Sequence, residues 1–282
     1  MALFQTTFFS QCLHRYVQAN VVIPCDDFGT GCCGMDRREY KSLYLLHGYA
    51  GDRMEWLTDG GANGIALAYD IAIIMPSGDN SFYTDNPYYS HNYGEYISRE
   101  LVEYTRQVFP LSQRAEDTFI AGMSMGGYGA LYNTMRHPGV FGHVIALSSP
   151  TGEHYRLSAD EPDFMGITRS FYDTVLGTNG DFESSDANLY HLARRVHEAG
   201  QDPADLYLAC GWNDLLVHGN RAFHRFLTEL GVPHVYEEGP GTHEWSFWQE
   251  YLRRGLSRHI EPRQFGGKNH PFWIERDEEG VM

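Results

Sequence analysis

The chain has 282 residues, of which 42% are hydrophobic and 21% charged, an ordinary composition for one large globular domain. Acidic residues outnumber Lys plus Arg by 37 to 21, which gives a formal net charge of −16. Because such a surface repels phosphate backbones and anionic lipid headgroups, binding to nucleic acid or to a membrane surface is disfavoured.

The sequence also bears on location and cofactors. Its longest apolar stretches, such as Ile71–Met75, are too short to span a membrane, and residues 1–7 lack the features of a signal peptide. We therefore expect a cytoplasmic protein. The five cysteines include the adjacent pair Cys32 and Cys33, an arrangement that fits neither a disulfide framework nor a usual zinc site. We predict no metal and no cofactor.

In chain order, the first predicted elements are two extended runs, Thr7–Leu13 and Tyr16–Ile23, which indicate an antiparallel hairpin, followed by a loop over Pro24–Arg38. Short apolar strands then alternate with helices. Strands are predicted at Ser42–Leu46, Ile71–Met75, Thr118–Ala121, Val144–Leu147, Leu206–Cys210 and His234–Glu237. Helices are predicted at Gly61–Tyr69, Glu95–Val108, Gly127–Met135, Asn220–Leu230 and Glu244–Arg254. This alternation predicts an α/β fold with a mostly parallel central sheet and helices on both faces, in a single domain over residues 1–282.

Two segments break the alternation. Residues 149–189 are long and mixed in composition, and we interpret them as an insertion or lid over the carboxyl edge of the sheet, where such folds bind ligands. An ordinary long connection is the alternative. Residues 262–282 are polar with isolated aromatic side chains and form a C-terminal extension of open role.

The strongest motif is G-M-S-M-G at residues 122–126, which lies between a predicted strand and a predicted helix. This context requires a sharp strand-to-helix turn that strains the backbone of Ser124 and exposes its hydroxyl at a helix N-terminus. Glycines at 122 and 126 remove Cβ atoms that would clash with neighbouring backbone. We predict that Ser124 is a nucleophile, and the alternative is a structural serine in a turn.

A serine nucleophile needs a base, and in this context an acid and then a histidine follow the serine along the chain. His243 lies between the last predicted strand and the last helix, which puts its imidazole at the sheet edge near Ser124. Asp214 follows the preceding strand and is predicted to accept the second imidazole N–H and stabilise the imidazolium. Asp181 and Asp186 are rival acids inside the insertion, and helix capping is the alternative role of Asp214.

Two backbone N–H groups are expected to hold the oxyanion of a tetrahedral intermediate. One is predicted at Met125, directly after the nucleophile, and the other at Tyr49 in the loop after the strand Ser42–Leu46. A simple tight turn is the alternative for that loop. Phe82, Tyr83 and Tyr89 fit a pocket wall and an exposed loop equally well and are not assigned to the site.

Three blocks together resemble the esterase D family of α/β-hydrolases: YLLHG at residues 44–48, AGMSMGGYGA at 121–130 and GTHEW at 241–245. Cys210-Gly211 followed by Asp214 is similar to the acid-bearing turn of that family. The resemblance runs from Thr7 to about Ile260. Within the family the chain most resembles the bacterial tributyrin esterases, on residues 82–85 and the Gly-Gly-Tyr-Gly stretch after the nucleophile.

The resemblance implies an α/β-hydrolase fold and a serine carboxylesterase that needs no cofactor. Its substrates would be small short-chain acyl esters, acetyl to butyryl and including acetylated sugars, cleaved through an acyl-enzyme. Carried over by position, the family roles fall on Ser124, His243 and Asp214 as the triad and on Tyr49 and Met125 as the oxyanion donors. The expected partner is a small-molecule ester, and a homo-oligomer is left open.

Several alternatives stay open. S-formylglutathione hydrolases usually carry His where this chain has Met123 and Tyr128, which makes the glutathione thioester a less favoured substrate. A feruloyl esterase is a further relative. An acyltransferase and an inactive binding protein on the same scaffold complete the alternatives.

Overall fold

The computed structural model describes residues 1–25, 39–86, 88, 91–152, 162, 166–178, 180–201 and 204–263. Most of the predicted loop Pro24–Arg38, with Cys32 and Cys33, lies outside the described residues, as do Tyr89 and the C-terminal extension after residue 263. In the described part of the chain, no helix combines the length and the apolar character needed to cross a bilayer.

Ten strands and nine α-helices define the architecture of the described residues. The strands are β1 Ala2–Ser10, β2 Arg15–Ile23, β3 Lys41–Leu46, β4 Ile71–Pro76, β5 Asp85–Asn86, β6 His91–Asn92, β7 Thr118–Met123, β8 His143–Leu147, β9 Asp205–Gly211 and β10 His234–Gly239. The helices are α1 Glu55–Thr58, α2 Ala62–Tyr69, α3 Tyr93–Glu95, α4 Leu101–Val108, α5 Met125–Arg136, α6 Arg169–Leu176, α7 Leu189–Glu198, α8 Val217–Leu230 and α9 Trp245–Ser257. A π-helical turn over Tyr96–Glu100 joins α3 to α4.

Eight strands form one sheet in the order β1-β2-β4-β3-β7-β8-β9-β10. β1 pairs antiparallel with β2, and β2 pairs antiparallel with β4, while the remaining neighbours in this sheet are parallel. The predicted α/β-hydrolase architecture, with a mostly parallel sheet, is confirmed. Because parallel strands end at the same edge, the loops after β3, β7, β9 and β10 meet there.

Both faces of the sheet are buried along β3, β4, β7, β8 and β9, which explains why these strands are mostly apolar, whereas β1 and β10 at the two edges are partly exposed. Along β3, Leu43 and Leu45 pack on the face that α2 and α9 cover. Tyr44 and Leu46 pack on the opposite face, against the core to which α5, α7 and α8 contribute. Successive side chains of β3 therefore pack into two apolar layers, one on each face of the sheet, and neither face of this strand is open to solvent.

The first predicted strand was wrong in its boundaries. β1 covers Ala2–Ser10 and not Thr7–Leu13, because the chain turns between residue 10 and Arg15, with His14 at φ 50°. Cys12 and Leu13 are buried at this turn, so their apolar character reflects packing of the turn and not strand pairing.

The described part of the insertion 149–189 lies at the carboxyl edge of the sheet. Helix α6 places Phe171 against Tyr49, with ring centroids 6.0 Å apart, and Tyr172 against Phe82 at 5.4 Å. Tyr49 lies three residues after the end of β3, so α6 covers this part of the edge. The insertion thus borders the region where the predicted site residues converge.

Candidate active site

Ser124 forms the corner between β7 and α5. β7 ends at Met123 and α5 begins at Met125, and Ser124 between them has φ 53° and ψ −122°. Residues with a side chain rarely adopt a positive φ because Cβ then crowds the backbone, so the corner is strained as the motif predicts. The N–H of Ser124 donates to the carbonyl of Leu147 at 2.8 Å, which ties the corner to the end of β8.

Two glycines of the motif allow the close contacts on which this corner depends. A Cβ at Gly122 would lie 2.4 Å from the carbonyl carbon of Gly126, and a Cβ at Gly126 would lie 2.4 Å from the carbonyl oxygen of Leu46. The corner therefore packs directly on the end of β3, and the loop after β3 is its neighbour.

His243 and Asp214 form a hydrogen-bonded pair. The imidazole Nδ1 lies 3.0 Å from Oδ2 and 3.2 Å from Oδ1 of the carboxylate, whose side chain is 0% exposed. Burial would raise the pKa of Asp214, but the hydrogen bond and charge of His243 and the bonds from the Leu216 N–H and the Ser148 hydroxyl together lower it. An ionised carboxylate only accepts hydrogen bonds, so Nδ1 carries a hydrogen and the second imidazole nitrogen, Nε2, is left as the basic atom in the neutral ring.

The rival acids do not reach His243. Asp181 bonds the hydroxyl of Ser184 in its own turn, and Asp186 pairs with Arg136 and Arg195. The alternative role of Asp214 is also present, because its Oδ1 accepts the N–H of Leu216 at 2.8 Å just before α8. One carboxylate thus holds the turn and the imidazole together.

A short series of contacts connects His243 with the strand next to Ser124. The ring of His243 lies edge-on to Trp248, with centroids 4.9 Å apart, and the Trp248 indole N–H donates to the hydroxyl of Ser148 at 3.1 Å. Ser148 follows Leu147, the acceptor of the Ser124 N–H. In the described part of the chain the Ser124 hydroxyl makes no hydrogen bond to His243, and such contacts are often long in substrate-free sites.

The two predicted oxyanion donors lie on neighbouring segments. Met125 is the first residue of α5, so its N–H has no acceptor within the helix. Among the described residues, the N–H of Tyr49 likewise has no acceptor. Because Gly126 packs against the end of β3, the structure brings these two segments side by side at the Ser124 corner.

Phe82 and Tyr83 are buried rather than exposed, at 2% and 0%. The Tyr83 hydroxyl donates to the carbonyl of His47 at 3.1 Å, and its ring would lie 2.5 Å from a Cβ at Gly129. Burial holds the pKa of Tyr83 well above its usual value, so it stays neutral. The sequence left the role of these two residues open. In the structure, Tyr83 contacts the loop after β3 through the His47 carbonyl.

A cavity of about 430 Å³ lies between the loop after β4, the hairpin β5–β6 and helix α6. It is lined by Asp79, Asn80, Ser81, Thr84, Asn86, His91, Tyr93, Phe171, Thr174 and Val175. Asn80 and Phe171 both contact the loop after β3, through Ala50 and Tyr49 respectively. The cavity therefore adjoins the loop that carries the second predicted oxyanion donor.

Among the residues that the structure describes, two groups of side chains have metal-ligand atoms near one another, and neither includes a predicted site residue. They are His143 with Asp205 and His259, and Asp85 with Glu95 and His137. The rings of His143 and His259 are tilted by 35° with centroids 3.9 Å apart, and Nε2 of His259 lies 2.7 Å from Oδ2 of Asp205. The carboxylates of the second group are engaged by the Glu95 N–H and by Arg99.

The model of the Esterase family matches residues 11–259, which is most of the chain. The chain belongs to the Esterase family. An acetyl esterase of Caldicellulosiruptor saccharolyticus is 36% identical over 255 residues, which cover 89% of this chain and 96% of that protein.

Two solved structures of Staphylococcus aureus proteins are similar to this esterase. The fluorophosphonate-binding serine hydrolase FphF has a TM-score of 0.80 and 26% identity, over 92% of this chain and 98% of that one. The S-formylglutathione hydrolase FrmB has a TM-score of 0.77 and 26% identity, over the same shares of each chain. Family membership and these serine hydrolase neighbours identify the protein as a carboxylic ester hydrolase with the α/β-hydrolase fold.

Sequence reasoning missed several residues that contact the candidate site. Glu55 and Asn80 hold the loop after β3, and Ser148 and Trp248 connect the edge of β8 with His243. Trp248 lies 100 residues from Ser148 along the chain, and Asn80 lies 30 residues from Ala50. No local pattern marks such pairs, because each bond depends on how distant segments pack.

Proposed function

We propose that the esterase hydrolyses small short-chain acyl esters through an acyl-enzyme, with Ser124 as nucleophile, His243 as general base and Asp214 as its acid partner. The observation that carries this proposal is the Asp214–His243 hydrogen bond at the sheet edge where the strained Ser124 corner lies. A strained serine corner, a basic imidazole nitrogen and a buried carboxylate are the parts that nucleophilic acyl transfer requires.

In the first half-reaction His243 takes the Ser124 proton as the oxygen attacks the ester carbonyl. The backbone N–H groups of Met125 and Tyr49 hold the oxyanion that forms on the carbonyl oxygen. The tetrahedral intermediate collapses, the carbon–oxygen bond to the alcohol breaks, and the imidazolium protonates the leaving alcohol. Water then attacks the acyl-enzyme with His243 again as base, which releases the acid and restores Ser124.

Two observations support a short acyl group and a simple alcohol over the glutathione thioester. The relative that is 36% identical is named an acetyl esterase. Tyr128, at a position where S-formylglutathione hydrolases usually have His, donates its hydroxyl to the carbonyl of Ala187 at 2.6 Å inside the insertion. That hydroxyl is committed to holding the insertion on α5, which fits a role in shaping the site.

The substitution Ser124→Ala tests the nucleophile. We expect loss of p-nitrophenyl acetate hydrolysis by at least about 1,000-fold, since the covalent step is removed. A fluorophosphonate probe should label the unaltered protein and not the variant, as measured by intact-protein mass spectrometry. Retained turnover in a folded Ser124→Ala variant would refute the assignment.

Substrate choice is tested by comparing kcat/KM for acetyl, butyryl, octanoyl and feruloyl esters and for S-formylglutathione. We expect the acetyl and butyryl esters to be preferred. A preference for the thioester or for the feruloyl ester would contradict the short-chain proposal and leave the triad intact. Product analysis with added sugar acceptors separates hydrolysis from acyl transfer, and failure of all the esters together with absent labelling would favour an inactive binding protein.

A further inference from the structure

Most backbone N–H groups of the loop after β3 have an acceptor. The N–H of Gly48 donates to Oε2 of Glu55 at 3.0 Å. The N–H of Ala50 donates to Oδ1 of Asn80 at 2.8 Å, and that of Gly51 donates to the carbonyl of Gly48 at 3.2 Å. Between Gly48 and Gly51, only the N–H of Tyr49 lacks an acceptor within the described part of the chain.

The carbonyl groups at the end of β3 and the start of this loop are engaged as well. The Leu46 carbonyl accepts the indole N–H of Trp56 at 2.9 Å, and the His47 carbonyl accepts the Tyr83 hydroxyl. The ring of His47 bridges two segments, since Nδ1 contacts the Gly48 carbonyl at 2.7 Å and Nε2 accepts the Gly78 N–H at 2.8 Å. Burial lowers the pKa of His47, so the ring is neutral with its hydrogen on Nδ1.

We propose that Glu55 and Asn80 are positioning residues that hold the loop after β3 so that the Tyr49 N–H alone points to the oxyanion. The two acceptors bind the amides on either side of Tyr49. An oxyanion hole is effective because its donors are already oriented when the charge develops. The inference rests on the proposed function, because it assigns a purpose to the free Tyr49 N–H.

The surroundings of Glu55 and Asn80 differ, and this gives the two residues separable tests. The Glu55 carboxylate is partly buried beside the loop, and a Cβ at Gly51 would lie 2.2 Å from its Oε2. Desolvation raises the pKa of Glu55, against the lowering effect of the Gly48 hydrogen bond. Asn80 instead meets Ala50 at an exposed position and lines the cavity below α6, so its removal leaves the core unchanged.

The experiment compares Glu55→Gln, Glu55→Ala and Asn80→Ala with the unaltered protein. Glu55→Gln keeps an acceptor for the Gly48 N–H and serves as the matched control, so we expect its kcat to stay within about twofold. Each alanine variant loses an acceptor and should lose about tenfold or more in kcat, with KM changed by less than about twofold, because the lost interaction acts mainly in the transition state. Melting temperatures establish that each variant is folded.

A second readout separates positioning from general damage to the fold. An aryl trifluoromethyl ketone, which adds to a serine hydroxyl and places a negative oxygen in the oxyanion site, should bind the alanine variants more weakly by about the same factor as kcat/KM falls. Unchanged kcat in both alanine variants, or a rise of KM alone, would overturn the proposal. So would an equal loss in Glu55→Gln.

Labelling of Ser124 by the fluorophosphonate in the unaltered protein distinguishes failure of the positioning roles from failure of the proposed function. If the probe does not label Ser124, the proposed function and the positioning roles both fall. If it labels Ser124 and the alanine variants keep full kcat and full affinity for the ketone, only the positioning roles are wrong.

Discussion

At the scale of single residues, the site depends on one buried carboxylate. Asp214 accepts hydrogen bonds from the imidazole of His243 and the N–H of Leu216, and the Ser148 hydroxyl contributes to lowering its pKa. The hydroxyl of Ser148 is itself held by the indole N–H of Trp248. Because these groups are fixed by packing, the carboxylate is oriented before a substrate arrives.

The substitution Asp214→Asn tests this role. An amide N–H donating to Nδ1 of His243 would move the imidazole hydrogen to the nitrogen that must accept the serine proton, so kcat should fall by about 10,000-fold. The measurement is the initial rate with p-nitrophenyl acetate at pH 8. Asp186→Asn, in the rival acid that pairs with Arg136 and Arg195, is the matched control and should keep its activity. A loss below about tenfold in Asp214→Asn would contradict its assignment as the acid.

At the scale of elements, the strand-to-helix corner is set by backbone crowding. Ser124 takes a positive φ, and the glycines beside it approach the backbone of α5 and of β3 more closely than any Cβ allows. The cost of this conformation is met by the packing of the two adjoining elements, since β7 lies in the middle of the sheet and α5 is buried along most of its length. The packing of β7 and α5 therefore holds the corner in this conformation.

The pair Gly122→Ala and Gly64→Ala tests that crowding. A Cβ at Gly122 would meet Gly126 at 2.4 Å, and we expect the free energy of unfolding to fall by about 1–3 kcal/mol with a loss of activity. Gly64 is exposed inside α2, where a Cβ meets nothing within 4 Å, so alanine there should add about 0.5–1 kcal/mol. Denaturant titration of both variants measures the difference. Equal stabilities would show that the corner tolerates a methyl group.

At the scale of the whole molecule, different groups of side chains lie at the carboxyl and the amino ends of the parallel strands. The candidate site lies at the carboxyl ends, while a cluster of charged side chains centred on Asp117 lies at the amino ends, just before β7. Its carboxylate contacts Lys41 at the start of β3, and accepts the Ser112 hydroxyl at 2.8 Å and Arg114 Nε at 2.8 Å. Burial would raise the pKa of Asp117, but these hydrogen bonds and the charge of Lys41 lower it to about 2.

This lowered pKa predicts how stability depends on pH. A carboxyl group whose pKa is lower in the folded state contributes its full stabilisation above its unfolded value, and loses it as the pH falls through the folded value. We expect Asp117→Asn to lower the free energy of unfolding by about 1–2 kcal/mol at pH 6, with the difference shrinking between about pH 4 and pH 2. Urea unfolding across that range measures it. A difference that stays constant with pH would contradict the assignment, and kcat at neutral pH should be unaffected in the folded variant.

Much of the fold could be predicted because the sheet strands are short apolar runs between turn residues. β3, β4, β8, β9 and β10 lie within two residues of their predicted ends. In β3, β4, β8 and β9 both faces of the strand are buried and the apolar run spans the strand, whereas the edge strand β10 is half-buried. The predicted first strand was misplaced because Cys12 and Leu13, which are buried in the turn that follows β1, are also apolar. The hairpin β5–β6 and helix α6 were not predicted, because such short or mixed segments have no clear period.

The architecture, the Ser124 motif and the order in which Asp214 and His243 follow it could be predicted from the amino-acid sequence, because they depend on local patterns along the chain. The folded structure was needed to show that Asp214, and not Asp181 or Asp186, bonds His243. It was also needed to show that Glu55 and Asn80 bind the N–H groups of Gly48 and Ala50. Hydrogen bonds between residues far apart in sequence depend on how whole elements pack, and the local periodicity of the sequence does not predict that packing.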